Sequence, residues 1–143
     1  IPDHNKVACM IPLVECKIEA LCEINPSEDP QKVEQAVSNV LDGVEIKTTK
    51  YSLTAKSGEM ESLAKIHESI QNHNTKKIYY RILNDNLEGN STWFYLNKQA
   101  AFANNVAICE HDDESPMGPI KIVLSSRNID RVIEWLVSTS MTD

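Results

Sequence analysis

Polar and apolar residues alternate through "LVECKIEALCEI", residues 13 to 24. Val14, Cys16, Ile18, Ala20, Cys22 and Ile24 fall on one side, Glu15, Lys17, Glu19 and Glu23 on the other, and Leu21 is the exception. Period two predicts a strand with one buried and one polar face. "NPSEDPQ" breaks it. Asp29 is placed to cap a helix with Pro30 at its first position, where no backbone donor is missed. Val33, Ala36, Val37, Val40 and Leu41 follow at helical spacing, and Gly43 ends that helix. Val44, Ile46 and Thr48 alternate next, then the apolar phase switches to Tyr51, Leu53 and Ala55. The switch predicts two strands joined tightly at Thr49–Lys50, with Gly58 closing the hairpin. Met60, Leu63, Ile66, His67 and Ile70 predict a helix over 59 to 73; Ile78, Tyr79, Ile82, Leu83 and Leu87 predict another, stopped by Gly89.

"STWFYLNKQAAFANN", residues 91 to 105, holds four of the eight aromatic side chains. Thr92 to Leu96 is rich in strand formers. Lys98 to Ala103 is made of good helix formers, with Asn97 as cap and Asn104 as stop. The stretch therefore divides into a strand and a short helical turn. On its strand, Phe94 and Leu96 face the core, while Trp93 and Tyr95 face the polar side. "VAICE" is a short strand, "HDDESPMGP" an acidic loop, and Ile120, Ile122 and Leu124 a last strand. Asn128 caps a final helix through Ile129, Val132, Ile133 and Leu136. The order β-α-β-β-α-α-β-β-β-α predicts an α+β fold, with a mainly antiparallel sheet and helices packed on one face. Residues 1–143 read as a single domain, with 1–9 as a leader or an extension of the first strand and Met10 as the natural start.

Composition is that of an ordinary globular chain, 41% hydrophobic and 24% charged. The longest mostly apolar run, "VACMIPLV", is far short of the roughly 20 residues a membrane span needs, so a cytoplasmic protein without membrane contact is expected. The net charge of −7 argues against an extended phosphate-binding surface, although a local basic patch would suffice. Cys9, Cys16, Cys22 and Cys109 form no CxxC pattern. Cys16 and Cys22 lie roughly 20 Å apart along one strand, too far to bridge each other or share a metal. Buried free thiols are expected.

Several chemistries lose their sequence basis. The four glycines are dispersed and none precedes a Lys-Ser/Thr pair, which excludes a phosphate-cradling loop. His4, His67, His73 and His111 show no metal-ligand spacing. "EHDDE", Glu110 to Glu114, lacks the glycine and spaced acids of a calcium loop and reads as a solvated acidic turn. No GxSxG elbow is present, and Cys16 and Cys22 sit on a buried face where thiols are inert. No catalytic residue, metal or cofactor is assigned.

Four segments in order, "INPSEDPQKVEQAV", "GNSTWFYLNKQAAF", "GPIKI" and "VIEWL", resemble an archaeal family of small uncharacterised proteins labelled RNA-binding-like. The resemblance spans about residues 10 to 137, and "FYLNKQAAF" is its most specific part. It implies a fold similar to the ribosomal protein that contacts 5S ribosomal RNA, and a homodimer; it implies no activity, substrate or cofactor. The chain departs from the family pattern at Trp93, where a basic residue is usual, and at Asn128, where an Asp-Pro start is usual. The binding candidates are Trp93, Tyr95, Asn97, Lys98 and Gln99, facing RNA or another protein.

Two non-catalytic readings stay open, RNA association and a homodimeric interaction module; an enzyme built on "EHDDE" or a cysteine is the third. Against a binding role for the motif stands a structural one. In it Phe94, Leu96, Ala100 and Phe102 are core, Asn97 is a cap, and Lys98 and Gln99 are surface residues of the turn. A contiguous basic patch of Lys98 with Lys76, Lys77 and Arg81 would favour RNA.

Overall fold

The computed structural model describes residues 11–137; Cys9, Met10 and the leader or strand extension expected at 1–9 lie outside them. The strands are β1 (Lys17–Glu23), β2 (Glu45–Thr48), β3 (Ser52–Ser57), β4 (Ser91–Leu96), β5 (Ile108–Cys109) and β6 (Ile120–Ser125). The α-helices are α1 (Pro30–Val40), α2 (Ala64–His73), α3 (Lys76–Asp85), α4 (Lys98–Phe102) and α5 (Ile129–Val137). Single 3-10 turns cover Met60–Leu63 and Asp112–Glu114. The six strands form one sheet in the order β2-β3-β1-β6-β4-β5, and every neighbouring pair is antiparallel. This is the expected α+β architecture.

Alternation decides which side of the sheet is covered. Ile18, Ala20 and Cys22 of β1, Leu53 and Ala55 of β3, Phe94 and Leu96 of β4, and Ile120, Ile122 and Leu124 of β6 are all buried. They pack with Val33, Ala36, Val37 and Val40 of α1, Ile66 and Ile70 of α2, Tyr79 and Leu83 of α3, and Val132 and Leu136 of α5 in one core. Each large apolar side chain buried in this way contributes roughly 1.5–3 kcal/mol. A one-residue slip of any strand would turn its apolar set to solvent, so this burial also fixes the register. All five helices lie over that face, and among the described residues no α-helix lies on the other face of the sheet.

The local signals act as their chemistry requires. Asp29 Oδ1 accepts from the Gln31 N–H at 3.0 Å, with Pro30 beginning α1. Gly43 takes φ +62° in the turn into β2, a conformation glycine enters without a Cβ penalty. Thr49 N–H donates to the Ser52 carbonyl across the hairpin turn.

Two boundaries differ from expectation, and a third is as expected. β1 begins at Lys17 rather than residue 13, because only Lys17 onward has a partner strand. The helix expected from 59 opens as a 3-10 turn and becomes α2 only at Ala64. Asn128 occupies the start of α5 and its carbonyl accepts from Arg131 and Val132, while its own N–H donates to Ser126 Oγ at 3.0 Å. The bond recorded before α5 is thus made by the Ser126 hydroxyl.

Replacing Asp29 with Ala should cost about 1 kcal/mol by removing the α1 cap. A urea denaturation midpoint lowered at constant m-value is the expected outcome.

Candidate functional site

Two features surround the family-like stretch: an uncovered sheet face and a buried lysine. On the face, strand register sets the side chains in two rows. One runs Lys47, Thr54, Leu21, Lys121, Tyr95; the other runs Glu45, Lys56, Glu19, Val123, Trp93. Trp93 and Tyr95 are half-buried and lie 5.0 Å apart between ring centroids. The Lys121 ammonium stands 4.6 Å from the Trp93 ring centroid, a cation–π contact. Leu21, the exception in the alternation, is 41% exposed. Acid and lysine alternate at Glu45, Lys56 and Glu19 of the second row, whereas the first row carries Lys47 and Lys121 and no acid.

Lys98 is a correction to the expected surface residue. Its side chain is completely buried, and the Glu28 carboxylate beside it is only 7% exposed. The ammonium donates to Glu28 Oε1 at 3.0 Å, to the Glu23 carbonyl at 2.9 Å and to the Met117 carbonyl at 2.8 Å. Three acceptor groups match its three N–H donors. Asn25 completes the cluster: its N–H donates to Glu28 Oε1 at 2.9 Å, and its side-chain amide to the Met117 carbonyl at 2.9 Å. Ser115 Oγ accepts from the Lys98 N–H and donates to the Gly118 carbonyl. Met117 adopts φ +64°, a left-handed conformation unusual for a non-glycine residue. That conformation is held where its carbonyl meets both Lys98 and Asn25.

Burial pushes the Glu28 carboxyl up, but hydrogen bonds from Asn25 and Lys98 outweigh it and set its pKa below the ordinary value. Burial raises the thiols of Cys16, Cys22 and Cys109 to about 11, so all three are protonated at neutral pH. They are free thiols, as expected. In the acidic loop, the Glu114 carboxylate accepts from the N–H groups of Glu110 and His111, and Glu110 pairs with Arg81 at 3.1 Å. Among the described residues, no three of His, Cys, Asp or Glu converge as ligands for a metal.

Of the five candidates, Trp93 and Tyr95 lie together on the uncovered face. Asn97 is spent as the α4 cap, its Oδ1 accepting from the Ala100 N–H at 2.9 Å. Gln99 is exposed, but in the helix layer. Lys98 is sealed, so the basic patch with Lys76, Lys77 and Arg81 does not form around it. Ala101 rather than Ala100 is fully buried, and Phe102 is half-buried. The same helical phase that buries Ala101 carries Lys98, one turn earlier, inward. Lys98 is missed because "NKQ" has the composition of a surface turn and Glu28 stands 70 residues away.

A family model described as RNA binding matches residues 17–126. The UPF0201 protein of Sulfurisphaera tokodaii is 36% identical over 124 residues, covering 84% of this chain and 86% of its own. That of Methanothermobacter thermautotrophicus is 34% identical over 120 residues, covering 84% and 89%. The crystal structure of the UPF0201 protein from Methanococcus jannaschii superposes with a TM-score of 0.71 at 22% identity, covering 85% of this chain and 92% of that one.

Two outcomes test the anchor. Lys98→Met and Glu28→Gln each strand a buried charge and should cost about 3–5 kcal/mol, while the double variant costs less than their sum; urea denaturation of all four proteins measures the coupling. The second outcome concerns pH. Because the folded pKa of Glu28 lies below its ordinary 4.5, the stability it brings is complete above that value. It is lost as the pH falls through the folded pKa. The wild-type denaturation midpoint should therefore drop more steeply below pH 4.5 than that of the double variant.

Proposed function

The chain belongs to the archaeal UPF0201 family, and we propose that it is a non-catalytic, RNA-associated binding protein that works through the uncovered face of its sheet. The carrying observation is the Trp93–Tyr95 pair on a sheet face that no described helix covers, with Lys121, Lys56 and Lys47 in the same two rows. Single-strand binders combine such stacking surfaces with nearby cations. The description of the family model supports RNA as the ligand class. A non-catalytic role is supported by the protonated thiols and by a buried lysine whose donors are all engaged. No described helix is long and apolar enough to cross a membrane, and we place the protein in the cytoplasm.

A second reading, a homodimer joined through the same face, is favoured by the contiguous apolar group of Leu21, Val123, Trp93 and Tyr95 with charged residues around it. An apolar centre with a charged rim suits a protein interface.

Titration of single-stranded RNA at low salt should give measurable binding. If three lysines contact phosphates, log K should fall with log salt at a slope of about −2. Trp93→Ala should weaken binding by roughly 1–3 kcal/mol without altering the fold. Absence of binding at about 100 μM and low salt removes the RNA reading. Sedimentation equilibrium of the same variant tests the second: a dimer that becomes a monomer supports it, and an unchanged mass rejects this face as the interface.

A further inference from the structure

A groove of about 550 Å³ opens on the uncovered face where β1, β3, β4 and β6 meet the 110–119 loop. Its apolar wall is Leu21 and Tyr95. Its acidic groups are Glu23, Asp112 and Asp113, opposed by one lysine, Lys121, whose ammonium is already over Trp93. None of the three carboxylates forms an ion pair with another described residue. Glu23 Oε1 reaches to 3.7 Å from where a Cβ on Gly118 would stand, so this carboxylate lies along the loop that carries the two aspartates.

We propose that this groove is a docking site for an arginine side chain presented by a basic segment of a protein partner. The argument is complementarity of charge and shape. The groove shares Tyr95 and Lys121 with the stacking surface, but its three acids repel phosphate, so its own ligand is a cation. A guanidinium is planar, stacks on an aromatic ring and pairs with carboxylates in a fixed fork, which suits a pocket offering Tyr95 and three unpaired acids. An ammonium gains the charge but neither the fork nor the stacking. The acidic wall is also held in advance, since the loop behind it is tied through Ser115 and Met117 to Lys98. Little ordering is then left to oppose binding. The site does not depend on the RNA reading.

The test uses the full chain with hexa-arginine and hexa-lysine peptides, followed by calorimetry at moderate salt. Hexa-arginine should bind more tightly than hexa-lysine. Asp112→Asn with Asp113→Asn should weaken hexa-arginine by about tenfold, the loss of roughly 1.4 kcal/mol. Glu59→Gln with Glu61→Gln makes the same change in net charge in a second groove at the other end of β1, and should leave binding within about twofold. Glu23→Gln, on the strand side, should weaken binding even if the loop variant is poorly folded. Equal weakening by the two double variants would mean that only net charge attracts the peptide and would overturn the proposal. Absence of hexa-arginine binding, or no preference over hexa-lysine, would do the same. The aspartate variants should not weaken the RNA titration, so failure of one reading is distinguishable from failure of the other.

Discussion

A lysine ammonium sealed from water must have all its donors met, and the part of this fold around the groove is arranged to meet them. Leaving such a charge unpaired costs several kcal/mol. The acceptors of Lys98 come from the end of β1, from the turn before α1 and from the loop before β6. None can move alone without exposing an unsatisfied ion. That requirement accounts for the left-handed backbone at Met117, since its carbonyl serves two donors. It also accounts for Ser115, a buried hydroxyl that closes the loop on itself. The knot contributes specificity of arrangement more than net stability, because a well-packed apolar group of the same volume could fill the space.

The second constraint is that the helices cover one side only. The chain supplies apolar residues at alternate positions, and the helices use them up on that side. What remains on the other side of β1, β6 and β4 is polar except for Leu21, Val123, Trp93 and Tyr95. Those four sit in adjacent strands, so they form a small patch with charge around it. Isolated apolar residues on a surface mean little, whereas a contiguous group on an unpartnered sheet has a binding role as its natural reading.

The architecture was legible because it depends on local pattern. Period-two and helical spacing identified the strands, the core face and the inward side of each helix, and Asp29 and Asn97 were recognisable as caps from their chemistry alone. The placement of Trp93 and Tyr95 followed from the phase of Phe94 and Leu96. Lys98 was not legible. Its burial depends on a carboxylate from a distant turn and on two carbonyls, and backbone carbonyls carry no sequence signal. The start of β1 was blurred for a related reason: alternation extends to Leu13, but a strand needs a neighbour, and pairing is not written in the strand's own residues. The short helical turn was recognised but rotated by one position, which exchanged Ala100 for Ala101 and hid the lysine.

That rotation changes the electrostatic argument more than the net charge does. Lys98 and Glu28 neutralise each other internally, so the −7 is unaltered. The cation most closely associated with the family-like motif is nevertheless withdrawn from any ligand. Of the lysines left on the uncovered face, Lys56 stands between Glu45 and Glu19, while Lys47 and Lys121 lie in a row without acids. A phosphate chain following the second row meets an acid on either side of its lysine, and its gain from counterion release there is correspondingly small. Affinity for RNA then rests on stacking on Trp93 and Tyr95, which is tolerant of sequence, with the lysines supplying the salt-dependent part. At the β1 end, where the acids outnumber the lysine, the same face favours cations. One sheet surface thus presents two electrostatic characters that meet at Tyr95 and Lys121, and they would select different partners.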